Sequence, residues 1–162
     1  MFNTADQSRT PDYPALSRQL QSLFEGERDF IANAAQFSAF IYQTLAALNW
    51  AGFYLARGEE LVLGPFQGKV ACVRIPFGRG VCGTTAVKRE TVVVDDVHAF
   101  PGHIACDAAS NSEIVLPVIV NERLIGVFDI DSPETHRFSA ADRDGLEQLL
   151  ACFIAATDFP AA

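Results

Sequence analysis

Basic residues are scarce in this 162-residue chain: 12 Lys and Arg stand against 20 Asp and Glu, a formal net charge of −8 with a pI near 4.7. Nucleic acids and anionic membranes need a concentrated basic footprint, so the shortage excludes both as partners and leaves a small polar or cationic ligand. Long apolar runs are missing as well. None approaches the ~20 residues of a membrane span, and the polar stretch 3–12 lacks the basic-then-apolar order of a secretory leader, which predicts a cytoplasmic protein. There is no internal repeat, no low-complexity tract and no C-x-x-C pair. What remains is apolar and mixed: hydrophobic residues make up 49% of the chain. A single domain of this size hides roughly 70% of the surface its unfolded chain exposes, enough to fold without disulfide staples or a structural metal. The four cysteines therefore need another explanation.

Residues 1–12 are polar, carry Pro11 and read as a loose arm ahead of one domain over residues 13–159. Pro14 suits the first turn of a helix, where its missing N–H costs nothing, and Leu16, Leu20, Leu23 and Phe24 follow at helical spacing. A second helix is expected over residues 29–48, with Phe30, Ala34, Phe37, Ile41, Tyr42 and Leu45 on one face. Strand patterns follow at 50–56, 60–63, 71–77, 91–95, 113–120 and 124–131, which predicts one sheet of about six strands. Ser139-Ala140-Ala141-Asp142 is a capping pattern for a last amphipathic helix through Leu146, Leu149, Leu150, Phe153 and Ile154. The longest stretch without regular structure spans 97–112, and loops of that length are commonly functional.

Gly78-Arg79-Gly80-Val81-Cys82-Gly83 imitates a dinucleotide fingerprint, but too few residues separate it from the next strand for the crossover helix such a site requires. The glycines read instead as a sharp turn into a short helix near Val81. Cys152, among Leu149, Leu150 and Phe153, belongs with the core. Cys72, Cys82 and Cys106 each fall at a junction, where access is easier. A helix start favours a thiolate, so Cys82 is expected to have a lowered pKa, and Cys106 sits in the long loop three residues after His103. Zinc binding by Cys72, Cys82, Cys106, His98 and His103 is disfavoured by spacing, so no metal is expected. A disulfide formed transiently during turnover is what a reducing compartment permits.

Alternation in Leu124-Ile125-Gly126-Val127-Phe128-Asp129-Ile130-Asp131 sends both aspartates to one side, about 7 Å apart. Ser132-Pro133-Glu134 keeps open the plainer reading, a strand end emerging into water. Glu113 discriminates between them. A three-residue connection, Asn121, Glu122 and Arg123, sets it opposite Asp131 on the same face, whereas a two-residue turn points it away. Three convergent carboxyls cannot all ionise cheaply, so at least one is expected to keep a proton near neutrality. Trp50 and Tyr54 share a strand face with Gly52, which leaves space between the rings; this fits either simple core packing or an aromatic wall that, opposite carboxylates, holds a small cationic amine with an apolar tail.

The stretches Gly68-Lys69-Val70-Ala71-Cys72, Gly78 to Thr84, Phe100-Pro101-Gly102-His103-Ile104-Ala105-Cys106-Asp107, Ser112-Glu113-Ile114-Val115 and Gly126 to Asp131 together resemble the free methionine (R)-sulfoxide reductases. The resemblance covers residues 13–159. It implies an α+β GAF domain, an antiparallel sheet of about six strands with terminal helices on one face and ligand loops on the other. It also implies an oxidoreductase acting on sulfur that needs no cofactor and works as a homodimer. Cys106 is then the nucleophile, Cys72 the main resolving thiol and Cys82 an additional redox cysteine. Trp50, Tyr54, Glu113, Asp129 and Asp131 surround free methionine (R)-sulfoxide, with a protonated carboxyl of the Glu113, Asp129 and Asp131 group as proton donor and Glu113 counted among the catalytic residues. The Cys106 sulfenic acid condenses with Cys72, and a thioredoxin-like dithiol protein reduces the disulfide. No arginine obviously reaches the substrate carboxylate, so backbone N–H groups after Val97 are expected to hold it. The rival reading is a non-catalytic GAF sensor of a small ligand or of redox state. A sensor needs an output, and only Pro160, Ala161 and Ala162 follow the last helix, which favours the enzyme.

Overall fold

The computed structural model describes residues 10–104 and 109–161. Two helices lead, α1 (Tyr13–Leu23) and α2 (Phe30–Thr44), each started by an aspartate whose carboxylate accepts from a first-turn N–H: Asp12 from Ala15 at 3.0 Å, Asp29 from Ala32 at 2.8 Å. Three strands follow, β1 (Trp50–Arg57), β2 (Glu60–Gly68) and β3 (Arg74–Pro76), then α3 (Gly80–Lys88) and β4 (Val92–Val94). After a single 3₁₀ turn at Val97–Ala99 come β5 (Ser112–Val120), β6 (Arg123–Ser132) and α4 (Ala140–Ala156). The six strands form one antiparallel sheet in the order β3-β2-β1-β6-β5-β4. No described helix is long and apolar enough to cross a membrane.

Strand alternation divides the side chains between two unlike faces. Ala51, Phe53, Leu55, Ile114, Leu116, Phe128 and Ile130 point toward α1, α2 and α4 and form the larger core. Phe37, Phe53, Phe128 and Phe153 interlock there, with ring centroids 4.7 Å apart for both Phe37–Phe128 and Phe53–Phe128. Phe37→Ala is expected to cost about 3–5 kcal/mol, read as a lowered urea midpoint with unchanged slope. A change of less than about 1 kcal/mol would mean that the aromatic cluster does not anchor α2.

The predicted capping box forms, Ser139 and Asp142 exchanging side-chain bonds with each other's backbone N–H groups. Asp142 is itself buried and accepts from the Tyr13 hydroxyl at 2.6 Å and from Arg137 at 3.2 Å, which ties the start of α1 to the start of α4. Burial, then the bond to Asp142, raises the Tyr13 pKa. Gly145 permits the contact: a Cβ there would stand 2.1 Å from the Tyr13 ring.

Three boundaries differ from expectation. The second helix ends at Thr44 rather than near residue 48, because Leu45 turns extended and Ala47 takes a positive φ of 59°. β2 runs on to Gly68 past Gly64-Pro65, since a register shift opposite Gly52 and Tyr54 absorbs those residues and lets Trp50 pair with Gly68. β3 is shorter than expected, and Cys72 lies in the connection before it.

The hairpin of β5 and β6 is the most informative difference. Its turn has two residues, not three: Val120 pairs with Arg123, and Asn121 and Glu122 have φ of 51° and 66°, the left-handed pair that a tight antiparallel turn requires. Such a turn alone would point Glu113 away from Asp131. Between Val118 and Ile119 the register slips by one, and Glu113 is restored opposite Asp131.

Candidate active site

The second sheet face carries the site. Along β1, Trp50, Gly52 and Tyr54 alternate with core residues; on β6, Asp131 pairs with Trp50 and Asp129 with Gly52; on β5, Glu113 pairs with Asp131. The helix α3 packs over β5 and β6 and brings Cys82 to the carboxyls, its Sγ 4.0 Å from Glu113 Oε1. Trp50, Tyr54, Cys82, Glu113, Asp129 and Asp131 all line one cavity. The strand-end reading for the aspartates is thereby excluded: Asp129 is 6% exposed and Asp131 half-buried in the same cavity wall.

Burial dominates the electrostatics. It raises the Glu113 pKa from 4.5 to about 8, with a further push from the Asp131 charge. Burial and then the Glu113 charge raise Asp129 well above the carboxylate range, and its Oδ1 has no hydrogen-bond partner among the described residues. The cavity therefore holds exchangeable protons near neutrality beside an acceptor with no donor, the complement of an ammonium group.

Cys82 corrects an expectation. It is 5% exposed, and burial followed by the charges of Asp129, Glu113 and Asp131 raises its pKa. The helix-start argument predicted a lowered value; it fails because α3 begins against the acidic side of the sheet, where loss of water outweighs the helix dipole. Cys72 is half-buried and disulfide-bonded, whereas Cys82 and Cys152 are free thiols. Cys106, assigned as nucleophile by resemblance, lies outside the described residues together with Ala105, Asp107 and Ala108. Cys152 packs against the core where α4 meets α1, its Sγ 3.7 Å from Ser17 Oγ.

The aromatic wall is closed rather than gapped. Trp50 stacks on Tyr54 at 5.7 Å and on Phe66 at 5.2 Å, so no space is left between the rings. Gly52 serves the backbone approach instead: a Cβ there would lie 2.3 Å from that of Phe66. The polar atoms of both rings hold the segment bearing Cys72, with Trp50 Nε1 donating to Lys69 O at 3.1 Å and the Tyr54 hydroxyl to Cys72 O at 2.9 Å.

Cys82 Sγ and one oxygen each from Glu113 and Asp129 lie within 4.8 Å of one another, the set of possible metal ligands found among the described residues. All three groups favour their protonated forms, so a cation there must displace protons. His98 stands apart, its ring bonded to Asn111 at 3.1 Å. Three polar cavity residues escaped the sequence reading as site residues: Arg79, His103 and Ser110. Arg79 sits at the start of α3, inside the glycine turn discounted as a nucleotide motif, and lines the cavity where no arginine was expected.

A GAF domain model matches residues 31–151. Free methionine-R-sulfoxide reductase of Escherichia coli K12 is 53% identical over 155 residues, covering 94% of both chains. The protein of that description from Saccharomyces cerevisiae is 47% identical over 137 residues, 80% of this chain and 76% of the relative. Among solved structures, free methionine-R-sulfoxide reductase from Neisseria meningitidis in complex with its substrate superposes with a TM-score of 0.88 at 42% identity, covering 96% of this chain and 93% of that one.

Proposed function

Since the chain belongs to the GAF-domain family of free methionine-R-sulfoxide reductases, we propose that it reduces free L-methionine (R)-sulfoxide to methionine by thiol chemistry. The observation that carries this reading is the convergence of Glu113, Asp129 and Asp131 in one cavity with the aromatic wall that holds the Cys72 segment. Asp129 and Asp131 accept from the substrate ammonium group, which a peptide nitrogen cannot imitate, so the free amino acid is selected. Trp50 and Tyr54 bound the apolar end. Arg79, at the cavity edge, is suited to the substrate carboxylate alongside backbone N–H groups.

In the reaction, the Cys106 thiolate attacks the sulfoxide sulfur while the Glu113 carboxylic acid protonates the oxygen. The oxygen passes to the cysteine sulfur, methionine leaves, and Cys106 is a sulfenic acid. Condensation with the Cys72 thiol forms a disulfide and releases water. Cys72 is disulfide-bonded, the state that a resolving thiol reaches in this scheme. A thioredoxin-like dithiol protein restores both thiols. Cys82, buried and protonated, serves as a secondary thiol that relays the disulfide when the segment opens. The working protein is a cytoplasmic homodimer in this reading.

The deciding assay mixes the protein, a small dithiol and each epimer of free methionine sulfoxide, and counts methionine. Turnover of the free (R) epimer, with little of the (S) epimer or of an N-acetylated substrate, is expected. Saturable binding of a ligand with no methionine formed would overturn the enzyme reading in favour of a GAF sensor.

A further inference from the structure

We propose that His103 is the positioning residue through which Glu113 regains its proton after each turnover, linking the buried acid to solvent. The inference rests on the reduction reading above and concerns a step that reading leaves open. Its proton balance shows why. A Cys106 thiolate, a sulfoxide and a Glu113 carboxylic acid give methionine, a Cys106 sulfenic acid and a Glu113 carboxylate: two electrons leave the cysteine sulfur, the oxygen moves to it, and the proton ends on that oxygen. The condensation with the Cys72 thiol then expels water without a net proton. Glu113 thus ends the oxidative half of the cycle one proton short, inside a cavity wall where its side chain is only 8% exposed, and the matching proton leaves only later, when the regenerated Cys106 thiol ionises.

The groups around that carboxylate narrow the route. Asp129 from β6, Cys82 from α3 and the Tyr54 hydroxyl from β1 are buried, and each has a raised pKa, so they hold protons rather than pass them in from water. Arg79 lines the same cavity, but its guanidinium has donors and no acceptor with which to take a proton from water. Asp131, half-buried and directly opposite Glu113, is the other group open to solvent. His103 differs from all of them. Its Nε2 lies 3.7 Å from Glu113 Oε2, about 1 Å beyond hydrogen-bond contact, and its side chain is 16% exposed at the cavity edge. Burial lowers its pKa, so near neutrality the ring is uncharged, with one N–H and one bare nitrogen. Such a ring can give a proton from Nε2 to the carboxylate while Nδ1 takes one from water, and it ends neutral as it began.

The test follows both products of one turnover. Fully reduced protein is mixed rapidly with free methionine (R)-sulfoxide in weakly buffered solution near pH 7, with methionine release measured by quenching and proton uptake by an indicator dye. For His103→Gln, proton uptake is expected to lag behind methionine release by about tenfold or more in the first turnover, whereas the two keep pace in the wild type, because Glu113 starts protonated and only its recharging is slowed. Added imidazole is expected to restore the uptake. Uptake as fast as in wild type would overturn the proposal and assign the route to Asp131. Slowing of release and uptake together, or failure of imidazole to restore uptake, would make His103 a structural residue and overturn it equally. If the wild-type protein releases no methionine, the reduction reading itself has failed, a result separable from the others.

Discussion

Cys106→Ser is expected to release no methionine from free methionine (R)-sulfoxide, whereas Cys72→Ser releases about one equivalent per protein and then stops. A serine hydroxyl near neutrality is neither ionised nor a reductant, so with Cys106 replaced no group can take the oxygen. With Cys72 replaced, the attacking thiolate is intact and the first oxygen transfer proceeds, but the sulfenic acid has lost its main resolving thiol. Quantifying methionine against protein concentration, with and without dithiol, separates the two outcomes. Slow further release in Cys72→Ser, abolished in Cys72→Ser/Cys82→Ser, measures the share carried by Cys82. Equal residual turnover in the Cys106 and Cys72 variants would sink the division of roles.

Glu113→Gln is expected to lower turnover by about 10²–10⁴, the usual worth of a general acid, while leaving a folded protein. The amide keeps the size of the carboxyl and lacks its acidic proton. In the wild type, activity that depends on protonated Glu113 should fall as pH rises through about 8, and the alkaline limb should be missing in any residual activity of the variant. Stability provides an independent check. The folded-state pKa is raised from 4.5 to about 8, so between those values the folded protein holds a proton that the unfolded chain has released, and stability declines as pH increases. Below pH 4.5 both states are protonated and this contribution is flat. Glu113→Gln should therefore flatten part of that decline in urea melts at pH 5 and pH 8. An identical decline in both proteins would show that Glu113 is ionised in the fold at neutral pH and cannot be the acid.

Much of this architecture was legible because it depends on local rules. Pro14 and the Ser139 capping pattern mark two helix starts, and the six strands follow from alternation bounded by turn residues. The acidic cluster was legible for the same reason, since residues two apart on a strand share a face. The misreadings concern what local pattern does not encode. The pairing of Glu113 with Asp131 was expected from a three-residue turn and is reached instead by a tight two-residue turn plus a slip beside Ile119. Cys82 was read from its place at a helix start, but its state is set by burial against three acids that lie far along the chain. Trp50 and Tyr54 were correctly placed on one face, yet Phe66 from the neighbouring strand joined the stack and closed the gap. Arg79 and His103 were hidden in loops, where no period announces direction.

The bonds from Trp50 to Lys69 and from Tyr54 to Cys72 make ligand selectivity and redox behaviour a single inheritance. Each ring has one side-chain polar atom, and both atoms are committed to the backbone of the segment that carries the Cys72 sulfur. Recutting this surface to admit a bulkier amino acid would slacken the tether of that sulfur at the same stroke. A change of diet written into these two rings therefore also loosens the segment that bears Cys72, and the two effects cannot be separated at these positions.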